Sequence, residues 1–269
     1  MRYSSVELRF DGPMAHIRLN RPDKLNAINQ AMLLELRQAM DEAEQSPQVR
    51  VITLTGAGRA FCSGFDLSEL SSESSAEQTR RVLQADFDLI MRFWHSPKPT
   101  LAAVHGYALG GGFELAMACD VTIAAEDAQF GEPEPKFGSG IVALLLPWVT
   151  GPKQAKEMLL FGNDRVAARR ALEIGLVNRV VPADALEAEM MAIAGRCAML
   201  DAHAVRLTKS AINRSYSTMG FDQALRDALD IDVTIETTET EESRTFKDIL
   251  ARQGVKAAIA WREARVFKR

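Results

Sequence analysis

The chain has 269 residues, of which 47% are hydrophobic, enough for one large domain or two small ones around a well-packed core. Its formal net charge of −4 argues against a general affinity for the nucleic-acid backbone, which requires a concentrated basic surface. Three widely spaced cysteines in apolar sequence indicate packed, reduced thiols rather than a disulfide framework or a zinc cluster.

The N-terminal sequence MRYSSVELRF enters a strand-like pattern almost at once, which leaves no room for a secretory signal peptide. Apolar runs in the sequence stay well short of the roughly 20 residues that span a bilayer. We therefore expect a cytoplasmic protein that has neither a membrane nor a nucleic acid as partner, and no bound metal.

The first predicted elements form an open α/β unit. VELRF and MAHIRLN alternate apolar and polar residues around Asp11-Gly12, which predicts a β-hairpin. Apolar residues recur at helical spacing from Asn29 to Glu44, and VRVITLTG follows as a strand. The Ser- and Glu-rich stretch 71–79 predicts a mobile loop, followed by a helix near Gln84 to Trp94.

The alternation of strand and helix then repeats. TLAAVHG is typical of a buried strand, LGGGFELAMACD of a helix with a glycine start, and VTIAAE of another strand. LVNRVV near residue 176 is the last predicted strand, and the period is helical from Asp184 onward. An α/β body followed by a helical C-terminal third is the predicted organisation.

The segment TGAGRAFCSGFDL, residues 55–67, carries glycines directly after a strand, which suggests backbone that approaches a ligand. Gly56-Ala57-Gly58 begins like a dinucleotide fingerprint, but Phe61 occupies the last glycine position and no acidic residue closes a second strand ~20 residues on. A glycine-rich turn with Asp66 capping a short helix remains the alternative.

The segment HGYALGGGFELAMACD places three glycines at the start of an apolar helix, where free N–H groups and the positive dipole end suit an oxyanion. Glu114 is the only charged residue between His105 and Asp120. A carboxylate in such surroundings is either paired with Arg or Lys or kept for chemistry that uses a raised pKa.

The segment AQFGEPEPKFGSG sets Glu134 between Pro133 and Pro135. Two prolines restrict the backbone, so we expect Glu134 on a stiff loop rather than a helix. The alternative is a solvated acidic turn in which Glu132 and Glu134 both point to water.

Hydrolase signatures are weaker. Gly138-Ser139-Gly140 lacks the frame of a nucleophile elbow, and the spacing of the four histidines indicates neither a triad nor a metal site. Cys62 has no activating partner nearby in sequence and is interpreted as a core thiol.

Taken in order, RPDKLNA, AFCSGFDL, AAVHGYALGGGFELAMACD, AQFGEPE and ALEIGLVNRVV resemble the successive motifs of the enoyl-CoA hydratase/isomerase (crotonase) family. The resemblance implies an α/β fold, a spiral of β-β-α repeats with a C-terminal helical trimerisation region. It implies a core over residues 1–195, an oligomerisation region over 196–269, and a homotrimer or a dimer of trimers.

The resemblance also implies roles for single residues. Backbone N–H groups of Phe65 and Gly111 would form an oxyanion hole for a thioester carbonyl, and Glu114 and Glu134 match the two catalytic glutamates of the family's hydratases. The segments expected to hold coenzyme A, which is part of the acyl-CoA substrate rather than a tightly bound cofactor, comprise Lys24, Leu25, Ala27, Phe65, Asp66, Leu67 and Ser68.

The sequence departs from the family pattern in two places. The family's glycine-rich stretch after the second glutamate is replaced by SGIVALLLPWVTG. We hypothesise that Ile141, Val142, Leu144 and Leu145 narrow the acyl site or reshape it for a cyclic or branched acyl group. Trp261 stands where the family often has a lysine, so a cationic contact to coenzyme A is expected to be missing.

The implied activity is hydration of a 2-enoyl-CoA to a 3-hydroxyacyl-CoA. Two alternatives stay open at this point: a double-bond isomerase of the same family, which needs only one carboxylate, and a non-catalytic acyl-CoA-binding protein.

Overall fold

The computed structural model describes residues 3–67 and 75–266, in which strands and helices alternate before a helical C-terminal third. The strands are β1 (Val6–Asp11), β2 (Met14–Leu19), β3 (Val51–Gly56), β4 (Thr100–Val104), β5 (Tyr107–Leu109), β6 (Val121–Ala125), β7 (Gln129–Gly131), β8 (Val166–Ala167) and β9 (Arg179–Val181). The helices are α1 (Gln30–Gln45), α2 (Ala76–His95), α3 (Gly111–Ala118), α4 (Glu134–Phe137), α5 (Leu146–Thr150), α6 (Pro152–Leu160), α7 (Ala168–Glu173), α8 (Leu186–Ala198), α9 (Ala202–Thr218), α10 (Phe221–Thr237), α11 (Glu241–Gln253) and α12 (Val255–Val266).

The main sheet has the strand order β1-β2-β3-β4-β6-β9. β1 and β2 form the predicted hairpin, in which Asp11 pairs with Met14 across a turn where Gly12 has a φ of 54°. From β2 to β9 the neighbouring strands are parallel. Such a sheet needs cover on both faces, and the continuous apolar runs of β3 and β4 provide the buried surface for it.

Helices cover the two faces of this sheet. Met32, Leu36 and Met40 of α1 belong to the main core, and Asn29 caps that helix by accepting a 3.0 Å hydrogen bond from the Met32 N–H. On the other face, Leu186 and Met190 of α8 pack against apolar residues of β3, β4 and β6. The alternation predicted from the sequence is therefore confirmed for these elements.

A second, smaller sheet has the order β5-β7-β8, which the sequence patterns did not reveal. Its strands contain only two or three residues, too few for an apolar period to show. β5 and β7 are parallel, with Leu109 opposite Gly131, so the residues that follow these two strands begin side by side. This sheet brings the two glutamate-bearing segments together.

The prediction of a loop over residues 71–79 was wrong for residues 76–79, which are helical. α2 begins at Ala76 because the Ser75 side chain accepts a hydrogen bond of 3.2 Å from the Gln78 N–H and caps the helix. Residues 71–74 lie outside the described part of the chain.

The helical C-terminal third is confirmed, and it is tied to the α/β body. Phe221 and Leu225 of α10 belong to the main core, and the Lys209 ammonium of α9 lies 2.7 Å from the Asp120 carboxylate. The division of the chain at residue 195 falls within α8 and stays a prediction. Among the helices of residues 3–67 and 75–266, none combines the length and apolarity that a membrane crossing requires.

Candidate active site

The segment from Cys62 to Asp66 runs between two other parts of the backbone. On one side, Cys62 bonds to the ends of β5: its N–H donates to the Tyr107 carbonyl at 2.9 Å. On the other side, the Gly64 carbonyl and the Asp66 N–H bond to Ile28 at 2.8 and 2.9 Å. Because successive backbone groups of an extended chain point to opposite sides, the N–H of Phe65 faces away from Ile28.

Gly110 and Gly111 stand at the start of α3, next to this segment. Gly110 has a φ of 50°, and Gly111 is the first residue of the helix, so its N–H has no partner within the helix. A Cβ built at Gly111 would lie 2.4 Å from the Phe65 ring, and one built at Gly64 would lie 3.4 Å from the Gly111 nitrogen. Among the backbone hydrogen bonds of the described residues, none uses the N–H of Phe65 or Gly111. The structure brings the predicted pair of amides together.

Glu114 lies in the first turn of α3 and is 1% exposed. Its Oε1 accepts a 3.2 Å hydrogen bond from the Ala143 N–H, while Oε2 has no hydrogen-bond partner among the described residues. Burial, and next the charge of Glu134, raises the pKa of the Glu114 carboxyl well above its usual range. Among the described residues, no ion pair joins Glu114 to an arginine or a lysine, which argues against the alternative that such a residue neutralises it.

Glu134 is the first residue of the one-turn helix α4, so the prediction of a stiff loop was wrong. Proline is compatible with the first turn of a helix, which needs no N–H donor there, and Pro133 and Pro135 therefore start this turn instead of preventing it. The residue is half-buried, and its Oε2 is shielded from solvent without a hydrogen bond among the described residues. Burial raises the pKa of Glu134 to about 7.

One backbone contact holds the two glutamate-bearing segments in place. The Gly110 N–H donates a 2.9 Å hydrogen bond to the Gly131 carbonyl, which joins the start of α3 to the end of β7. A Cβ built at Gly110 would lie 2.0 Å from the Glu134 Oε1. The absence of a side chain at residue 110 therefore makes the room in which the Glu134 carboxyl lies.

Further buried carboxyls lie nearby that the sequence patterns missed, among them Glu132 and Asp232. Glu132 is fully buried and Asp232 of α10 is 2% exposed. The charge of Asp232 raises the pKa of both Glu114 and Glu134, and burial raises the pKa of Asp232 itself to about 7. A signal for Asp232 exists in the sequence, since it continues the buried helical spacing of Phe221, Leu225 and Leu229. Glu132, between a glycine and a proline, has no such signal.

The predicted coenzyme A segment begins with a tight loop. Leu25 and Asn26 have φ values of 52° and 56°, which few residues other than glycine adopt. The buried Asn26 amide stabilises that shape by donating hydrogen bonds of 2.8 Å to the carbonyls of Ala57 and Ala60. The Leu25 carbonyl accepts from the Ser63 N–H at 3.0 Å. Lys24 to Ala27 therefore lie beside the segment that leads to Phe65.

The remaining predicted residues differ in their surroundings. Asp66 lies 3.0 Å from Arg21 in a largely buried ion pair, which ties the two predicted coenzyme A segments together. Leu67 borders a small cavity of about 50 Å³ next to Phe137 and Phe246. Ser68 lies outside the described residues. In the aliphatic stretch, Val142 and Leu145 are buried in the main core, whereas Ile141 and Leu144 are half-buried.

Other features of the described residues lie apart from this site. A cavity of about 750 Å³ is bordered by Trp94, Trp148 and α9, and contains none of the predicted site residues. Within residues 3–67 and 75–266, no group of three or more His, Cys, Asp or Glu side chains is arranged to hold a metal ion. Cys62 is a buried thiol whose pKa burial raises to about 12.

The sequence and the fold of this chain are similar to those of known proteins. The sequence profile of the enoyl-CoA hydratase/isomerase family matches residues 9–261. The crotonyl-CoA hydratase of Syntrophomonas wolfei is 39% identical over 227 residues, which cover 81% of this chain and 85% of that protein. The short-chain-enoyl-CoA hydratase of Clostridium acetobutylicum is 37% identical over 221 residues, covering 80% and 83%.

A solved structure of an enoyl-CoA hydratase/isomerase from Xanthobacter autotrophicus Py2 is 51% identical to this chain. It superimposes with a TM-score of 0.95 over 98% of this chain and 99% of that one. The predicted α/β crotonase fold with C-terminal helices is thereby confirmed, and the structure adds the second sheet. From its sequence profile, its relatives and its fold, the chain belongs to the enoyl-CoA hydratase/isomerase (crotonase) family, which acts on coenzyme A thioesters.

Proposed function

We propose that the protein is a 2-enoyl-CoA hydratase, which adds water across the 2,3-double bond of an enoyl-CoA to give a 3-hydroxyacyl-CoA. The observation that carries this proposal is the neighbourhood of two carboxyls with raised pKa values, those of Glu114 in α3 and Glu134 in α4, beside two amides that no backbone hydrogen bond uses among the described residues. Relatives named as crotonyl-CoA and short-chain-enoyl-CoA hydratases, 39% and 37% identical, support it.

The first step of the proposed reaction is polarisation of the thioester. Its carbonyl oxygen accepts hydrogen bonds from the N–H groups of Phe65 and Gly111, and the dipole of α3 adds positive potential at the same place. Electron density then leaves C3, which becomes electrophilic, and the enolate that forms is stabilised. Donors of this type are worth about 2.7–4 kcal/mol each.

The second step needs one ionised carboxylate and one neutral carboxyl group. In the proposed scheme Glu134, whose pKa burial raises to about 7, takes a proton from the water whose oxygen attacks C3. Glu114, whose pKa is raised well above its usual range by burial and by the charge of Glu134, supplies a proton to C2 from Oε2, since Oε1 is held by Ala143. Proton transfer between the neighbouring carboxyls restores the starting state.

Coenzyme A is proposed to lie along Lys24, Leu25 and Ala27 and along residues 65–68, as part of the substrate and without a tightly bound cofactor. Asn26 and the Arg21–Asp66 pair hold these two segments next to each other, so a ligand that touches one also meets the other. The hydrocarbon part of the substrate would then reach the segment after Glu134, where Ile141 and Leu144 are half-buried.

A homotrimer or dimer of trimers, assembled through the region 196–269, is proposed as the working form. Large apolar side chains are exposed along this region. They include Met199, Leu200, Leu207, Ile212 and Met219, of which Met199 is 79% exposed. Light scattering after gel filtration tests this: three or six times the chain mass of 29.6 kDa supports the proposal, and a monomer contradicts it.

The activity is tested with purified protein and a panel of 2-enoyl-CoA thioesters that starts with crotonyl-CoA. Loss of the absorbance of the conjugated thioester, with a 3-hydroxyacyl-CoA as product, supports hydration. Conversion of a 3-enoyl-CoA without incorporation of solvent oxygen would instead identify an isomerase. Calorimetric binding without turnover of any thioester would identify a non-catalytic acyl-CoA-binding protein.

A further inference from the structure

The helix α4 is a single turn that carries Glu134 as its first residue. The turn closes in the way typical of helix ends: the Gly138 N–H donates to the Pro135 carbonyl at 3.3 Å, and the Ser139 N–H donates to the Glu134 carbonyl at 3.0 Å. One turn by itself is not stable, because fixing its residues costs more conformational entropy than so few hydrogen bonds offset. The position of the Glu134 carboxyl therefore depends on the contacts that hold α4 from outside.

Two cationic side chains join α4 to other parts of the protein. The Lys136 ammonium lies 2.9 Å from the Asp164 carboxylate, in the segment before β8. From α12, the Arg262 guanidinium donates a 3.2 Å hydrogen bond to the Pro135 carbonyl. Arginine commonly satisfies the last carbonyls of a helix in this way. Arg262 thus bonds to the backbone of the residue that directly follows Glu134.

The Arg262 guanidinium is itself held between α4 and α11. Its Cζ lies 4.5 Å from the centroid of the Phe246 ring of α11, which is buried and has its centroid 6.3 Å from that of the Phe137 ring. A Cβ built at Gly138 would lie 3.2 Å from both Nη1 and Nη2. A planar guanidinium stacks well on an aromatic ring, and this contact fixes the direction of its N–H groups.

We propose that Arg262 is a positioning residue for Glu134: its guanidinium fixes the Pro135 carbonyl and, through it, the turn that presents the Glu134 carboxyl. The proposal rests on the proposed hydratase activity, in which Glu134 accepts a proton from water. Arg262 exchanges no proton with the substrate in this role. Its effect on the reaction passes through the placement of α4.

Two substitutions separate this role from a general contribution to stability. Arg262→Met keeps much of the apolar stem and removes every hydrogen-bond donor, whereas Arg262→Lys keeps a cation on a flexible stem. Arg252→Met, which changes an exposed arginine of α11, is the matched control. For each protein, kcat and KM are measured with the best enoyl-CoA of the panel, and thermal unfolding is recorded on the same sample.

Arg262→Met should lower kcat by about tenfold and leave KM within about twofold, since a displacement of about 1 Å can cost about 100-fold and a loosened turn is displaced for part of the time. Arg262→Lys should lose about threefold or less, because its ammonium still donates to a carbonyl. Arg252→Met should match the wild type. A rise in KM with an unchanged kcat in Arg262→Met would overturn the proposal.

A double variant tests whether the effect passes through Glu134. In the Glu134→Gln background, assayed at high enzyme concentration, Arg262→Met should lower kcat no further, because the carboxyl that it positions is already gone. A second tenfold loss in that background would show that Arg262 acts by another route and would overturn the proposal.

Hydrogen exchange tests the contact without reference to activity. Peptides that contain Gly138 and Ser139 should exchange about tenfold faster in Arg262→Met than in the wild type, while peptides of α1 and β3 should not change. Unchanged exchange around α4 would overturn the proposal even in an active hydratase. If the wild type hydrates no thioester, the proposed function fails, and the exchange rates still decide whether Arg262 holds α4.

Discussion

The Ala143 N–H holds Oε1 of Glu114 at 3.2 Å, so the two oxygens of this carboxyl differ: one is fixed by the backbone and the other has no hydrogen-bond partner among the described residues. Residue 143 belongs to the aliphatic segment after α4, which contributes to the main core through Val142 and Leu145. The orientation of the proposed proton donor therefore depends on this aliphatic segment.

Glu114→Gln should abolish most of the activity while leaving the fold intact. Glutamine keeps an oxygen that can accept from Ala143, but it supplies no proton to C2, so kcat is expected to fall by about 10²–10⁴-fold. The check is steady-state hydration of crotonyl-CoA together with thermal unfolding of both proteins. Near-normal turnover in a variant of unchanged stability would remove Glu114 from the mechanism.

Gly110→Ala should act on Glu134 without touching the substrate. The new Cβ would lie 2.0 Å from the Glu134 Oε1, so the carboxyl has to move, and a displacement of about 1 Å can lower kcat by about 100-fold. Gly12→Ala is the matched control because Gly12 also has a positive φ, 54°, but no atom within 4 Å of its Cβ position.

Both alanine variants are expected to be less stable than the wild type, because alanine is strained at a positive φ. Only Gly110→Ala should also have a lower kcat. The measurements are kcat at saturating enoyl-CoA and the free energy of unfolding in urea. If Gly12→Ala lowered kcat to the same extent, backbone strain rather than displacement of Glu134 would explain the effect.

Asp232 should make the protein less stable as the pH rises. Burial raises its pKa from 3.8 to about 7, so between those values the folded state binds a proton that the unfolded state has released. The free energy of unfolding therefore falls as the pH rises from about 4 to about 7. Asp232→Asn should remove about 2–4 kcal/mol of that decrease.

Urea unfolding at pH 4.5 and pH 8 measures this slope in the wild type and in Asp232→Asn. Asp227→Asn changes an exposed aspartate of the same helix and should leave the slope unchanged. An Asp232→Asn protein with the wild-type slope would show that the Asp232 carboxyl titrates at its ordinary pKa.

Lys209→Met should destabilise the contact between α9 and the α/β body. The Lys209 ammonium lies 2.7 Å from Asp120 and also donates to the Lys98 carbonyl at 3.2 Å, with 9% of its side chain exposed. Removing it takes one charge-assisted hydrogen bond from the Asp120 carboxylate, which is partly exposed and keeps hydrogen bonds from Thr100, so the expected cost is about 1.5–3 kcal/mol. Loss of less than 1 kcal/mol by urea unfolding would contradict the importance of this pair.

An exposed ion pair provides the comparison. Arg81 and Glu77 are paired on the surface of α2 with side chains 71% and 76% exposed. Solvent and salt weaken such pairs, so Arg81→Met should change the free energy of unfolding by less than about 1 kcal/mol.

The local sequence patterns predicted the parts of the fold that are long enough to show a period. The hairpin, α1, β3 and the C-terminal helices follow from apolar spacing. The small sheet of β5, β7 and β8 does not, because its pairing depends on contacts distant in sequence. Yet that sheet is what sets Glu114 near Glu134.

The site residues could be identified only in part from the sequence, for a related reason. A charged residue alone in an apolar helix indicates burial, as Glu114 does, and Asp232 of α10 is indicated by a different signal, its place in the buried spacing of that helix. Glu132 and Glu134 lie in a segment rich in proline and glycine, where no period distinguishes a buried side chain from a solvated one. Their burial depends on the packing of α3, α4 and α10 around them.

The Gly110–Gly131 hydrogen bond of 2.9 Å contributes to the relative placement of Glu114 and Glu134. The spacing of the proposed acid/base carboxyls depends on this main-chain contact and on the absence of a side chain at residue 110. Residues 138–145 meet that arrangement through the Ala143 amide. The segment proposed to meet the acyl group therefore also orients the proposed proton donor, and substitutions there are expected to change acyl preference and proton transfer together.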